Sequence, residues 1–183
     1  LAFEELKRAI RQIEERTTSL DQIITDTIPT WHLGPVVDAL RALRGVNTTI
    51  AVTLVAEIGD INRFSNPRQL MAWLGLVPSE HSSGNTIRRG RITRTGNALA
   101  RTMMVEASWS YRHPARERHP YLKRSEHLPQ EIRDIGWKAQ VRLCKRYRDL
   151  SRKGKPQPRV LTAIARELAG FIWDIARKVP IPA

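Results

Sequence analysis

Cysteine is almost absent from this 183-residue chain, with Cys144 standing alone. No disulfide can form within it, no cysteine-based zinc site can be built, and a reducing cytoplasmic setting fits that usage. Long apolar runs are lacking too: nothing is long enough to span a bilayer, and the N-terminus has no basic-then-apolar signal pattern, so no membrane partner is expected. There is no internal repeat and no low-complexity tract. Acidic residues are scarce, with 18 Asp and Glu against 31 Lys and Arg, for a formal net charge of +13. That exceeds what solubility needs and points to a polyanionic partner, nucleic acid before any other. The excess is unevenly placed: residues 1–30 hold six acids and four bases, which leaves +15 for residues 31–183.

What is present is a 41% hydrophobic content, enough for one core. Phe3, Leu6, Ile10, Ile13, Thr17, Leu20, Ile24 and Thr27 recur at alternating spacings of three and four. This is either the seam of a coiled coil or the buried face of a helix packed on its own domain. Pro29 closes that helix and Pro35 opens the next. The run Leu43-Arg44-Gly45-Val46-Asn47-Thr48, followed by a helix through about Ile58, is similar to a helix-hairpin-helix. That motif aims backbone amides at a DNA phosphate, and Asn47 stands in it for a second glycine because asparagine tolerates the left-handed region. Gly45, Asn47 and Thr48 are therefore candidate DNA contacts, while an ordinary αα-hairpin explains the same residues.

Ser65-Asn66-Pro67 opens a helix that closes at Gly75. Ile87 and Ile92 flank a basic stretch and suggest a short β-hairpin or loop near residues 84–95. Asn97 then caps a helix expected to bury Leu99, Met103 and Trp109. Residues 112–128 read as a surface connection. Pro129 starts a helix with Ile132, Ile135, Ala139, Leu143 and Tyr147 on one face, and a final helix carries Val160 through Ile175. The expected fold is mainly α, a helical bundle divided into a coiled-coil or linker helix (1–30) and a second domain (31–183).

The chemistry-bearing segment runs from Ser82-Ser83-Gly84 to Asn97. Between Gly84 and Arg101 lie five arginines (Arg88, Arg89, Arg91, Arg94 and Arg101) and no acid. A phosphodiester arriving here would meet only favourable charge, and a serine hydroxyl beside it is a candidate nucleophile whose transition state those cations could stabilise. His81 is a nearby base or simply a surface histidine, and without further information Ser82 and Ser83 equally suit an ordinary serine-rich turn. A second basic run, Lys138–Arg159, holds nine basic residues against one acid and makes Lys145, Arg146 and Arg148 candidate DNA contacts.

Several separated motifs then fall in order: Gly45 through Ala51-Val52-Thr53 to Gly59-Asp60, Arg63-Phe64, Gly75-Leu76-Val77-Pro78-Ser79-Glu80, Ser82-Ser83-Gly84, Ile92-Thr93-Arg94-Thr95-Gly96-Asn97, Gly154-Lys155-Pro156, and Ala165 to Trp173. Together they resemble the C-terminal domain of the IS110/IS116/IS902 transposases over most of the chain after residue 35. The resemblance implies a DNA transposase, with Ser83 as nucleophile and Ser82 close behind. It also implies homo-oligomers assembled through the N-terminal helix, a structured guide RNA as partner, and a prokaryotic cytosol as setting.

The resemblance further implies an N-terminal RNase-H-like domain whose four acidic DEDD residues bind Mg²⁺. No such constellation is present here. Glu57, Asp60, Glu80 and Glu106 are the acids nearest the serines, and Glu57 and Asp60 read as helix-end residues. With its start at Leu1 rather than methionine, the chain reads as the C-terminal part of a transposase, inert alone, with no cofactor of its own. The rival reading is a non-catalytic helix-hairpin-helix module that binds DNA or RNA and assembles.

Overall fold

The computed structural model describes residues 2–80, 89–117, 123 and 125–181. Helix α1 (Ala2–Thr27) runs into a 3-10 turn, Ile28–Thr30, at Pro29. It contributes no buried residue, and Phe3, Leu6, Ile10, Ile13 and Leu20 are 51–69% exposed. The two threonines in its seam turn their hydroxyls back onto the carbonyls of Ile13 and Ile23. They satisfy themselves within the helix and need no outside partner.

The core is built by the later helices. Helix α2 spans Gly34–Leu40 and α3 spans Thr48–Ile58. After a 3-10 turn at Ile61–Arg63, α4 spans Pro67–Trp73. Two short antiparallel strands follow, β1 (Pro78–Glu80) and β2 (Arg89–Ile92), with Pro78 opposite Ile92 and Glu80 opposite Arg89. Helix α5 covers Ala98–Ser108, α6 Gln130–Arg152 and α7 Gln157–Lys178. The mainly α expectation holds.

Helix α7 is the axis of the bundle. It packs against α6, α5, α4 and α2 and buries Ile164, Leu168, Ile172 and Ile175 to within 1% of full burial. Each such side chain contributes about 2 kcal/mol of transfer free energy. Spacings of four, four and three keep these residues on a single apolar stripe, and exposed Arg166 and Arg177 occupy the other side.

Three expectations are corrected. Leu99 is 50% exposed and Trp109 lies outside the core, while α5 buries Ala100, Met104 and Ala107, and Tyr111 just beyond it. Small residues occupy that face because neighbouring backbone comes close: Gly45, at φ +82°, leaves no room for a β-carbon, which would fall 2.2 Å from the Ala107 carbonyl oxygen. The hairpin's first strand begins at Pro78, upstream of the expected 84–95, because Thr93 donates its N–H to Val77 O at 2.9 Å and zips the base of the loop. The 112–128 connection is more than a surface strap, since Ser125 is buried and Ala115 and Leu128 pack on the core.

Candidate nucleic-acid interface

The arginine segment is held onto the C-terminal end of α4. Gly75 follows that helix at φ +65°, and its carbonyl accepts the N–H of Arg94 at 3.2 Å. Arg94 itself has φ +56°, a conformation uncommon for a side-chain-bearing residue. Gly96, at φ +92°, presses against the Trp73 carbonyl. The Arg101 guanidinium reaches back to Leu74 O at 3.1 Å, so it caps the end of α4. Arg91 and Arg94 are exposed, with no ion pair among the described residues. Of Arg89 only the backbone is described, in β2. Ser82, Ser83 and Arg88, with His81 beside them, lie outside the described residues.

Asn97 links this segment to α3. Its side-chain oxygen accepts the N–H of Ala100 at 2.8 Å, capping α5, and its amide donates to Glu57. Asp60 accepts the N–H of Asn62 at 2.8 Å. Both acids are thus committed to helix ends. Among the described residues no three His, Cys, Asp or Glu side chains come together as metal ligands.

At the α2–α3 turn, Gly45 has the positive φ expected, but Asn47 does not occupy the left-handed region. Its φ and ψ are −86° and −179°, and its side chain accepts the N–H of Ile50 at 2.8 Å. It is the N-cap of α3, which requires extended backbone. Thr48 is the first residue of that helix, and Asn47 is exposed beside it.

On α6, Lys145 and Arg148 are exposed with no ion pair among the described residues. Arg146 differs. Together with Arg142 it pairs Glu167 of α7, at 3.1 and 2.8 Å, so part of this basic face is neutralised across the helix pair.

Nothing around Arg44 announces its burial: it is only 5% exposed and donates to Pro114 O at 2.9 Å and Gln140 Oε1 at 3.1 Å, with Cys144 Sγ at 3.6 Å. A buried guanidinium held by neutral acceptors ties the α2–α3 turn to α6. The one available signal was Gln140, a polar residue in the apolar stripe of α6. Burial raises the pKa of the Cys144 thiol, an effect that the nearby Arg44 charge only partly offsets.

Residues 37–122 match the family described as Transposase IS116/IS110/IS902. Over that segment the chain is similar to the IS116/IS110/IS902 transposases. Among similar proteins is one from Sinorhizobium fredii described as "Putative transposase y4qE", 52% identical over 87% of this chain and 41% of the relative. The "Transposase for insertion sequence element IS1111A" of Coxiella burnetii is 38% identical over 38% of this chain and 19% of the relative. The insertion element IS110 uncharacterized 43.6 kDa protein of Streptomyces coelicolor is 29% identical over 56% of this chain and 25% of the relative. The chain thus spans less than half the length of these relatives. The family match opens inside α2 and takes in α3, α4, the hairpin and α5. It therefore covers the segment that holds the arginines and Asn97, while α6 and α7, which close the bundle, lie beyond it.

Proposed function

We propose that this chain is the C-terminal part of a DNA transposase that binds DNA and supplies a serine nucleophile, Ser83 with Ser82 as the alternate, for strand cleavage and transfer. The observation that carries this reading is the family match over residues 37–122, which contains both the Ser82-Ser83-Gly84 run and the arginines that follow it. In the proposed step, serine Oγ forms a bond to phosphorus as one P–O ester bond breaks and the departing oxygen takes up a proton. The phosphoserine linkage conserves the ester, so rejoining to another strand needs no ATP. Arg88, Arg89, Arg91 and Arg94 would neutralise the non-bridging oxygens. Gly45, Asn47, Thr48, Lys145, Arg146 and Arg148 would track the backbone, and a structured guide RNA is a proposed partner suited to the same charge.

Mg²⁺-binding carboxylates are expected on an N-terminal RNase-H-like domain, and α1 is proposed to bring copies of the protein together. The test combines this chain with the matching acidic domain, Mg²⁺, guide RNA and cognate DNA. A protein–DNA adduct that survives denaturing electrophoresis is expected; it should vanish in Ser83→Ala while DNA binding persists, and fall modestly in Ser82→Ala. The opposite pattern moves the nucleophile to Ser82. An adduct that survives the double replacement removes serine chemistry, and binding without any adduct leaves a non-catalytic binding module.

A further inference from the structure

Arg63 ends the 3-10 turn before α4, and its side chain is exposed. Its guanidinium carbon lies 4.6 Å from the centroid of the Phe64 ring and 4.8 Å from that of Trp73. The two rings are 5.9 Å apart and inclined by 60°, so the guanidinium occupies a corner between aromatic faces. The corner is itself fixed: Phe64 is buried, and its carbonyl accepts the indole N–H of Trp173 at 2.8 Å. Trp173 carries a second stacked guanidinium, Arg177, at 4.9 Å.

A guanidinium attracted to ring faces makes no salt bridge with them, so its N–H donors remain available for other partners. No carboxylate pairs with Arg63 or Arg177 among the described residues, and Asp60, the acid closest to Arg63 in sequence, is committed to the Asn62 N–H. An exposed arginine normally loses much side-chain freedom on binding; one already held by two rings loses less. The planar fork of donors that remains matches a phosphate. Placement agrees: the residue whose ring holds Arg63 is Trp73, whose carbonyl seats Gly96, two residues beyond exposed Arg94.

We infer that Arg63, held over Phe64 and Trp73, is a phosphate anchor for nucleic-acid backbone running past the arginine hairpin, with Arg177, over the Trp173 ring that bonds the Phe64 carbonyl, a second such cation. The inference rests on the DNA-binding reading above but assigns a contact which that reading does not contain. The test titrates the full chain with two short duplex DNAs of unrelated sequence over a range of salt concentrations. Arg63→Ala should weaken binding about fivefold to tenfold on both duplexes and lower the log–log salt slope by about one. Arg63→Lys should keep the slope and recover only part of the affinity, since it restores charge without the fork.

Wild-type affinity in Arg63→Ala would overturn the anchor, as would a loss confined to one sequence, which marks a base contact. A loss matched by a lowered melting temperature would mark a structural role and would also overturn it. A Lys145→Glu/Arg148→Glu variant separates the two layers. If it weakens binding while Arg63→Ala does not, only the anchor fails; if the wild-type chain binds neither duplex at low salt, both readings fail.

Discussion

Gly96 rides on the carbonyl oxygen of Trp73: a β-carbon at residue 96 would fall 1.9 Å from it, and the residue's φ of +92° is one that side-chain-bearing residues rarely adopt. Backbone of the arginine segment therefore touches backbone of α4 directly. A contact of this kind fixes where Arg94 emerges more firmly than side-chain packing could, because neither partner has a rotamer to change.

Gly96→Ala should accordingly destabilise the fold by roughly 3 kcal/mol, combining a backbone clash with an unfavourable φ. Gly154→Ala is the matched control. Gly154 also has positive φ, at +66°, but nothing lies within 4 Å of its would-be β-carbon. Its loss should be about 1 kcal/mol, the conformational strain alone. Urea denaturation of the two variants measures the difference, and equal losses would show that the contact with Trp73 contributes nothing.

Removing Arg44 tests the buried network. Arg44→Ala opens a cavity at the buried guanidinium's place and leaves buried Gln140 Oε1 with only the long N–H bond from Arg116, at 3.5 Å, and a loss of about 3 kcal/mol is expected. Arg44→Met, which refills the volume but not the hydrogen bonds, should recover part of that loss. If both variants unfold at the wild-type denaturant midpoint, the buried guanidinium is not a tie between the α2–α3 turn and α6.

Cys144 supplies a pH dependence. Its thiol pKa is raised in the folded protein from an ordinary value of 9.0, chiefly by burial, so the folded state holds this proton to higher pH than the unfolded state does. The associated stability is fully present below the unfolded value and is lost as pH rises beyond it. Denaturation midpoints should therefore decline on the alkaline side in the wild type and decline less in Cys144→Ala. Reaction with a thiol reagent at mildly alkaline pH should be slow until denaturant is added; rapid labelling of the native protein would contradict a buried, protonated thiol.

Helix ends were legible in the sequence because local chemistry writes them. Asn66 and Asn97 cap the helices they precede, Pro35 and Pro67 sit in first turns, and Gly75 follows the end of α4. The α5 face was misread because its contact is set by close backbone approach. Ala100, Ala107 and Gly45 carry it, and a search for large apolar residues selects Leu99 and Trp109 instead. Arg44 and Arg63 lie in turns where a basic residue reads as solvated. One is buried by acceptors contributed from residues 70 and 96 positions away, and the other is stacked partly by a ring ten positions later, and spacing reveals neither. The serines, which family resemblance singles out, lie outside the described residues.

The seam of α1 is expected to be a contact between copies of the protein. Five of its apolar residues are more than half exposed in the single chain, an arrangement that burial against a second helix would relieve. Ile10→Asp with Ile13→Asp should shift the light-scattering mass towards monomer and leave the α2–α7 core folded. An unchanged mass would remove the coiled-coil reading.

Nucleic-acid affinity should fall roughly a hundredfold or more from low to physiological salt, given the +15 carried after residue 30. The structure adds a distinction within the basic face of α6. Lys145 and Arg148 have no ion pair among the described residues, whereas Arg142 and Arg146 share Glu167. Reversing Lys145 and Arg148 to glutamate should therefore weaken binding more than reversing Arg146 alone. Glu167→Gln removes the counter-charge from two exposed arginines, so it should strengthen binding several-fold at low salt while barely changing stability, because exposed pairs of this kind contribute only about 0–1 kcal/mol. The gain should fade as salt rises, since it is Coulombic. If Glu167→Gln instead weakened binding, the carboxylate would be positioning Arg142 and Arg146 for the phosphate backbone rather than competing with it.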